Sequence, residues 1–130
     1  MNFTLPKSER LHSEKLIKEL FNEGSSFFLY PFKVILKTDS SRSEGNPMVL
    51  FSAPKKKLKK AHQRNLIKRR MREAYRLNKH ILTGCPPINL GFIFVSEEIM
   101  EFKKIEQSIC KILNRLKHEI LHSNEENTSD

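Results

Sequence analysis

Apolar residues recur at three- and four-residue steps in three stretches of the chain and at two-residue steps in one. Residues 13–23 set Leu16, Ile17, Leu20 and Phe21 at helical spacing, with Ser13 to cap the first turn and Gly24 to stop the last. Residues 32–38 alternate, Phe32, Val34 and Leu36 on one face and Lys33, Ile35 and Lys37 on the other, which is the period of a strand. Turn-forming residues fill 39–47 and an apolar run fills 48–53, so the pattern predicts a hairpin, closed at Pro54 because proline cannot donate to a ladder. Residues 25–29 predict a further short strand. From 60 to 80 there is no Gly or Pro, and Ile67, Met71, Ala74 and Ile81 gather on one arc at 100° per residue. TGCPP at 83–87 breaks that helix. Residues 88–95 are apolar almost throughout, as a central strand covered on both faces would be. Phe102, Ile105, Ile109, Ile112, Leu116 and Ile120 then repeat along a last amphipathic helix over 101–121. The order of elements predicts an α+β fold with helices packed on a small sheet.

Charge changes the picture at one segment. The chain of 130 residues carries a net charge of +9, from 24 Lys and Arg against 15 Asp and Glu. Residues 55–80 hold twelve of those bases and a single acid, Glu73, so this segment alone accounts for the whole positive balance. Opposite the apolar arc of its helix stand Asn65, Lys68, Arg69, Arg72, Arg76 and Lys79; Arg64 lies on one border and Leu66 and Leu77 on the other. Bases concentrated in this way attract a polyanion and bind it largely without regard to sequence, with strong dependence on salt.

Length and composition fit one domain over 1–122, followed by a polar, acidic tail over 123–130 that is expected to be disordered. No apolar run approaches the ~20 residues of a membrane helix. Cys85 and Cys110 lack CxxC spacing and the first ten residues lack an apolar signal core, so the expected setting is the reducing cytosol, with both thiols free and buried.

The stretch Ser52-Ala-Pro-Lys-Lys-Lys-Leu-Lys-Lys-Ala-His-Gln-Arg-Asn-Leu-Ile-Lys-Arg-Arg-Met-Arg-Glu-Ala-Tyr-Arg76 resembles the signature of the protein subunit of bacterial ribonuclease P. Lys55 and Lys56 match the family's lysine pair at the end of a strand, and Ala61 its alanine. Arg64, Asn65, Lys68, Arg69, Arg72 and Glu73 match its helix motif. The resemblance extends over about residues 7–121, including Arg10-Leu11 before the first helix and Phe21 followed by Gly24. It implies a two-layer αβββαβα sandwich with a small mixed sheet and a left-handed βαβ crossover, similar to a ribosomal-protein domain. It also implies a ribonucleoprotein, one protein per catalytic RNA, that removes the 5′ leader of precursor tRNA by Mg²⁺-dependent hydrolysis, the Mg²⁺ held mainly by the RNA and substrate. Lys55, Lys56, Lys59, Lys60, Arg64, Asn65, Lys68, Arg69, Arg72 and Arg76 are then the expected RNA contacts, and Phe21, Lys33, Ile35 and Lys37 the expected leader contacts. The chain departs from the pattern at Leu66, where the family has a third base, and at Ile17 and Ile35, where relatives often carry aromatics. Leader binding is therefore expected to lean on Lys33 and Lys37.

The residues themselves offer no protein nuclease centre, since the acids are dispersed and form no two-metal carboxylate cluster. No catalytic side chain, protein metal site or organic cofactor is assigned. His118-Glu119-Ile120-Leu121-His122 has the H-E-x-x-H spacing of zinc peptidases. A catalytic zinc needs a third protein ligand and a cleft, whereas only eight polar residues follow His122 and Ile120 continues the core stripe, so a chance match is the expectation. The other alternative is a non-catalytic RNA chaperone or ribosome-associated module, which would bind precursor and mature tRNA alike.

Overall fold

Seven main elements follow one another in the computed structural model, which describes residues 5–39, 41–42 and 45–128, with 123–128 as helical backbone. They are α1 (Glu14–Glu23), β1 (Ser25–Leu29), β2 (Phe32–Thr38), β3 (Met48–Ser52), α2 (Ala61–Asn78), β4 (Ile88–Phe94) and α3 (Phe102–Thr128), with 3-10 turns at Lys7–Glu9 and Lys79–Leu82. Helical backbone thus runs through most of the segment expected as a tail, whose last two residues lie outside the described ones.

The strands form one mixed sheet in the order β1-β2-β4-β3. β1 and β2 make an antiparallel hairpin around a turn holding a cis Tyr30–Pro31 bond. β2 pairs antiparallel with β4, and β4 parallel with β3. The hairpin expected between 32–38 and 48–53 does not exist, because β4 lies between those two strands. The reason is burial: six of the seven residues of β4 are buried, so it must be paired on both edges and covered on both faces.

Alternation along the strands sorts the interior into two cores. Phe32, Val34, Val49, Ile88, Leu90, Phe92 and Phe94 meet α2 and α3 through Ile67, Met71, Ala74, Tyr75, Ile105, Ile109, Ile112, Leu113, Leu116 and Ile120. The opposite face carries a smaller core of Leu11, Leu20 and Ile35 with Leu16, Ile17, Met48, Leu50 and Ile93, so α1 covers that side. Tyr75 was not legible as core. Its ring packs edge-on to Phe51, which itself stacks on Phe92 at 5.8 Å. Ile81, expected on the buried arc, is only half buried because the helix has given way to a 3-10 turn. The cysteines are half buried rather than buried, and burial pushes both thiols up.

Local chemistry fixes the ends of the elements. Ser13 Oγ accepts from the Leu16 amide at 3.3 Å and caps α1. Gly24 ends α1 with an ordinary φ of −73°, so space rather than conformational freedom demands glycine. An added Cβ would stand 2.4 Å from the Leu20 carbonyl oxygen, 2.9 Å from Ile35 Cγ2 and 3.0 Å from the Leu36 carbonyl oxygen. Buried Asp39 accepts from the Ser41 amide at 3.1 Å, from the Ser41 hydroxyl, and from Arg42 Nε at 2.8 Å, which together hold its carboxyl below the usual carboxylate range.

Both arrangements are open to measurement. Gly24→Ala is expected to cost about 1–3 kcal/mol, since two of the three obstructing atoms are backbone, read as a lower denaturant midpoint with unchanged slope. Because Asp39 is depressed in the folded state, its contribution is complete above the unfolded value of about 3.9 and is lost as pH falls through the lower folded one. Melting curves taken down to about pH 2 should therefore fall more steeply below about pH 4 for the native chain than for Asp39→Asn. Parallel curves would remove Asp39 from the acid response.

Candidate nucleic-acid interface

The basic segment begins as a turn pinned from below. The Lys57 and Leu58 amides donate to the Pro54 carbonyl at 3.1 and 3.2 Å, and Leu58, 3% exposed, is plugged into the core. That anchor leaves Lys55, Lys56, Lys59 and Lys60 exposed around it. Arg64 Nη1 then donates to the Leu58 and Lys59 carbonyls, both at 2.8 Å, and fastens the turn to the helix. Arg64, expected to contact RNA, therefore positions the lysines with one of its nitrogens.

Lys60 is the N-cap of α2, no side chain caps this end, and the first turn has no acid. A helix N-terminus already carries about half a positive charge, so lysines there raise an unfavourable potential that an anion relieves. Further along, Asn65, Arg69 and Arg72 are exposed and Lys68 and Arg76 half exposed. From 65 to 76 this face extends ~16 Å along the axis, at about 1.5 Å per residue. Arg70, Lys79 and Arg76 have partners within the fold. Arg70 donates to the Met100 carbonyl at 2.6 Å and ties α2 to the start of α3. Lys79, expected on the phosphate-facing arc, lies 3.1 Å from each carboxylate oxygen of Glu9 in a largely buried pair, because the chain's first turn packs beside it. Arg76 Nε donates to Glu73 at 3.0 Å, and that bond holds the Glu73 carboxyl below its ordinary range and raises Arg76.

The four expected leader residues divide evenly. Phe21, 46% exposed, and Lys33 stand at the surface. Ile35 is only 4% exposed, because the face it shares with Lys33 is where Leu20 of α1 packs, so it offers no binding surface. Lys37 donates to Glu23 at 2.6 Å with Glu19 at 3.9 Å, which raises its pKa and answers its charge within the fold. Two aromatics that were not singled out are the most exposed large apolar residues among those described, Phe28 and Tyr30, each at 59%. Period-two alternation from Ser26 was the available signal for Phe28.

His118, Glu119 and His122 lie exposed on α3, with Glu119 accepting from Arg115 Nε at 3.0 Å. Among the described residues no three His, Cys, Asp or Glu side chains stand together as a metal site, and no helix is long and apolar enough to cross a membrane.

Comparison with known proteins converges. Residues 5–117 match the family model described as Ribonuclease P. A ribonuclease P protein component from Porphyromonas gingivalis is 37% identical over 119 residues, covering 88% of this chain and 87% of the relative. One from Chlorobaculum tepidum is 39% identical over 91 residues, covering 67% and 58%. Among solved structures, the RNase P protein of Staphylococcus aureus superposes with a TM-score of 0.70 at 21% identity, over 85% of this chain and 97% of that one. That of Thermotoga maritima gives 0.69 at 23% identity, over 82% and 96%. At those identities the structures bear on the fold alone, and they agree with the four-stranded mixed sheet and three helices.

Two neighbouring arginines separate surface charge from structure. Arg69, exposed and without a partner among the described residues, should when changed to Ala flatten the salt dependence of binding to a structured RNA by about one charge and leave the melting temperature unchanged. Arg70→Ala should instead cost roughly 1–2 kcal/mol of stability by stripping a charged donor from Met100. Equal effects in both assays would collapse the distinction.

Proposed function

The chain belongs to the Ribonuclease P protein family, and from that premise we propose that it binds the catalytic RNA of the ribonucleoprotein through its exposed bases and receives the 5′ leader of precursor tRNA on the sheet face beside α1. A ribonuclease P protein component works within a holoenzyme that is a ribonuclease, and the observation that carries the finer reading is the sorting of bases. Those matching the family motif at Lys55, Lys56, Lys68, Arg69 and Arg72, together with Lys59 and Lys60, reach solvent, as does the motif's Asn65, while Arg70 and Lys79 outside it are tied inward. Arg64 supports the lysine turn, and Arg76 contributes at the far end in competition with Glu73.

In this reading the RNA supplies the reaction centre. This reading assigns no metal ion to the protein and routes no step through one. Mg²⁺ is held mainly by RNA and substrate phosphates. The protein's work is to neutralise phosphates, which lowers the Mg²⁺ needed to fold and join two polyanions, and to add leader contacts that mature tRNA lacks. One protein serves one RNA in the cytoplasm.

Reconstitution tests this. Purified protein with the ribonuclease P RNA of the same source should restore accurate 5′ cleavage of precursor tRNA at low Mg²⁺, and the complex should hold precursor more tightly than mature tRNA. Binding to both RNAs with no change in cleavage and no preference for precursor would mark a general RNA-binding module instead.

A further inference from the structure

The sheet face beside α1 is only partly covered. Strand register places Ser26, Ile35, Gly91 and Leu50 in one row across the four strands, and all but the exposed Ser26 lie beneath α1, with Leu20 packed against Ile35 and Gly91. The next row is Phe28, Lys33, Ile93 and Ser52, in the order β1, β2, β4, β3. Phe28 and Lys33 are exposed, and Ile93 and Ser52 half buried. The row runs ~14 Å across the sheet, at about 4.8 Å per strand. It ends two residues before Pro54, from which the chain leads into Lys55 and Lys56. An aromatic ring, a free ammonium, an apolar side chain and a hydroxyl thus stand in line, with the basic turn at one end.

Phe28 is held in place there. Tyr30 lies with its ring centroid 6.5 Å away at 58° to the Phe28 ring, and its hydroxyl donates to Ser96 Oγ at 3.3 Å. A tilted neighbour supports one edge and leaves a face of Phe28 open. A single exposed apolar side chain needs no explanation, but two touching aromatics, one on an edge strand and one in the turn that follows it, are an aggregation liability unless something covers them. The charges nearby favour a polyanion that crosses the sheet. Lys33 is directly opposite Phe28, while the hollow beyond Tyr30 is bordered by Glu98 and Glu101 against one base, Lys104, so its balance is negative and less welcoming to phosphate.

We propose that Phe28 is a stacking platform for an unpaired base of the leader, whose backbone runs from there over Lys33 to Ser52 and the Lys55 turn, with Tyr30 as a positioning residue. This rests on the leader-binding function proposed above and assigns it to β1, because the positions at 17 and 35 are aliphatic and belong to the small core between α1 and the sheet. Any base can serve, since every base has a π-face.

The holoenzyme tests it, using precursor tRNAs with leaders of one and of about ten nucleotides, and with 2-aminopurine placed singly along the longer leader. In the native complex one leader position should be quenched, and the longer leader should bind more tightly than the shorter. Phe28→Ala should abolish that quenching and weaken long-leader binding about five- to hundredfold, while affinity for the short leader, for mature tRNA and for the catalytic RNA stays unchanged. Phe28→Tyr should restore both. Tyr30→Ala should reduce quenching partially. Phe28 is exposed, so its variants keep the native melting temperature. If the native complex discriminates leader length and Phe28→Ala discriminates equally well, the platform is overturned and the functional reading stands. If the native complex shows no preference for precursor, that reading falls and the platform with it. If Phe28→Ala instead weakens binding to the catalytic RNA, or abolishes self-association of the free protein in sedimentation, the face belongs to that other occupant.

Discussion

A strand buried at six of its seven residues organises this molecule. β4 must be paired along both edges and roofed on both faces, and each requirement recruits a different part of the chain. Its edges draw in β2 and β3, separated in sequence by a turn that would otherwise have made them a hairpin. One face draws in α2 and α3 and the other α1, so the fold carries a large and a small core divided by the sheet. The smaller core covers only part of its face. That shortfall leaves the row from Phe28 to Ser52 open, on the side from which the basic turn departs.

The second organising fact is the separation of bases that stabilise from bases that repel one another. Lys79, Arg70 and Lys37 each meet an internal oxygen within 3.1 Å. The lysines of the 55–60 turn and the outer face of α2 meet solvent, and they crowd a helix end whose dipole has the same sign. Such an arrangement is held together by apolar anchors, with Leu58 under the turn and Ile67, Met71 and Ala74 under the helix, and not by its own electrostatics. Binding a polyanion removes the repulsion without rearranging the anchors.

Period and punctuation made most of the elements legible. Ser13, Gly24, Pro54 and the TGCPP break mark real boundaries, and the apolar stripe from Ile105 to Ile120 is buried as its spacing indicates. The basic motif of 52–76 was specific enough to point to the family. Pairing was not legible, because alternation gives a strand its faces but not its neighbours, and the decisive neighbour of β2 lies 50 residues further on. The same limit applied to the candidate site. Ile35 shares a face with Lys33, but only the placement of α1 reveals that one is covered and the other free. Lys37 and Lys79 read as free charge until Glu23 and Glu9 are brought beside them by elements remote in sequence. Tyr75 sits among arginines in the chain and at the centre of an aromatic cluster in the fold.

The insertion of β4 between β2 and β3 also bears on how the chain acquires its structure. The β2–β4 ladder joins Phe32 to Phe94, more than 60 positions apart, so sheet closure waits on a non-local contact whose loop entropy must be met first. During synthesis from the N-terminus, α1, β1, β2, β3 and the whole basic helix leave the ribosome before the strand that unites them. For that interval the nascent chain presents two unpaired strand edges together with the eleven net positive charges of residues 55–80, next to ribosomal RNA. Late arrival of residues 88–94 therefore makes the basic segment available before its scaffold is complete, and an RNA that engaged it early would act on folding as well as on assembly.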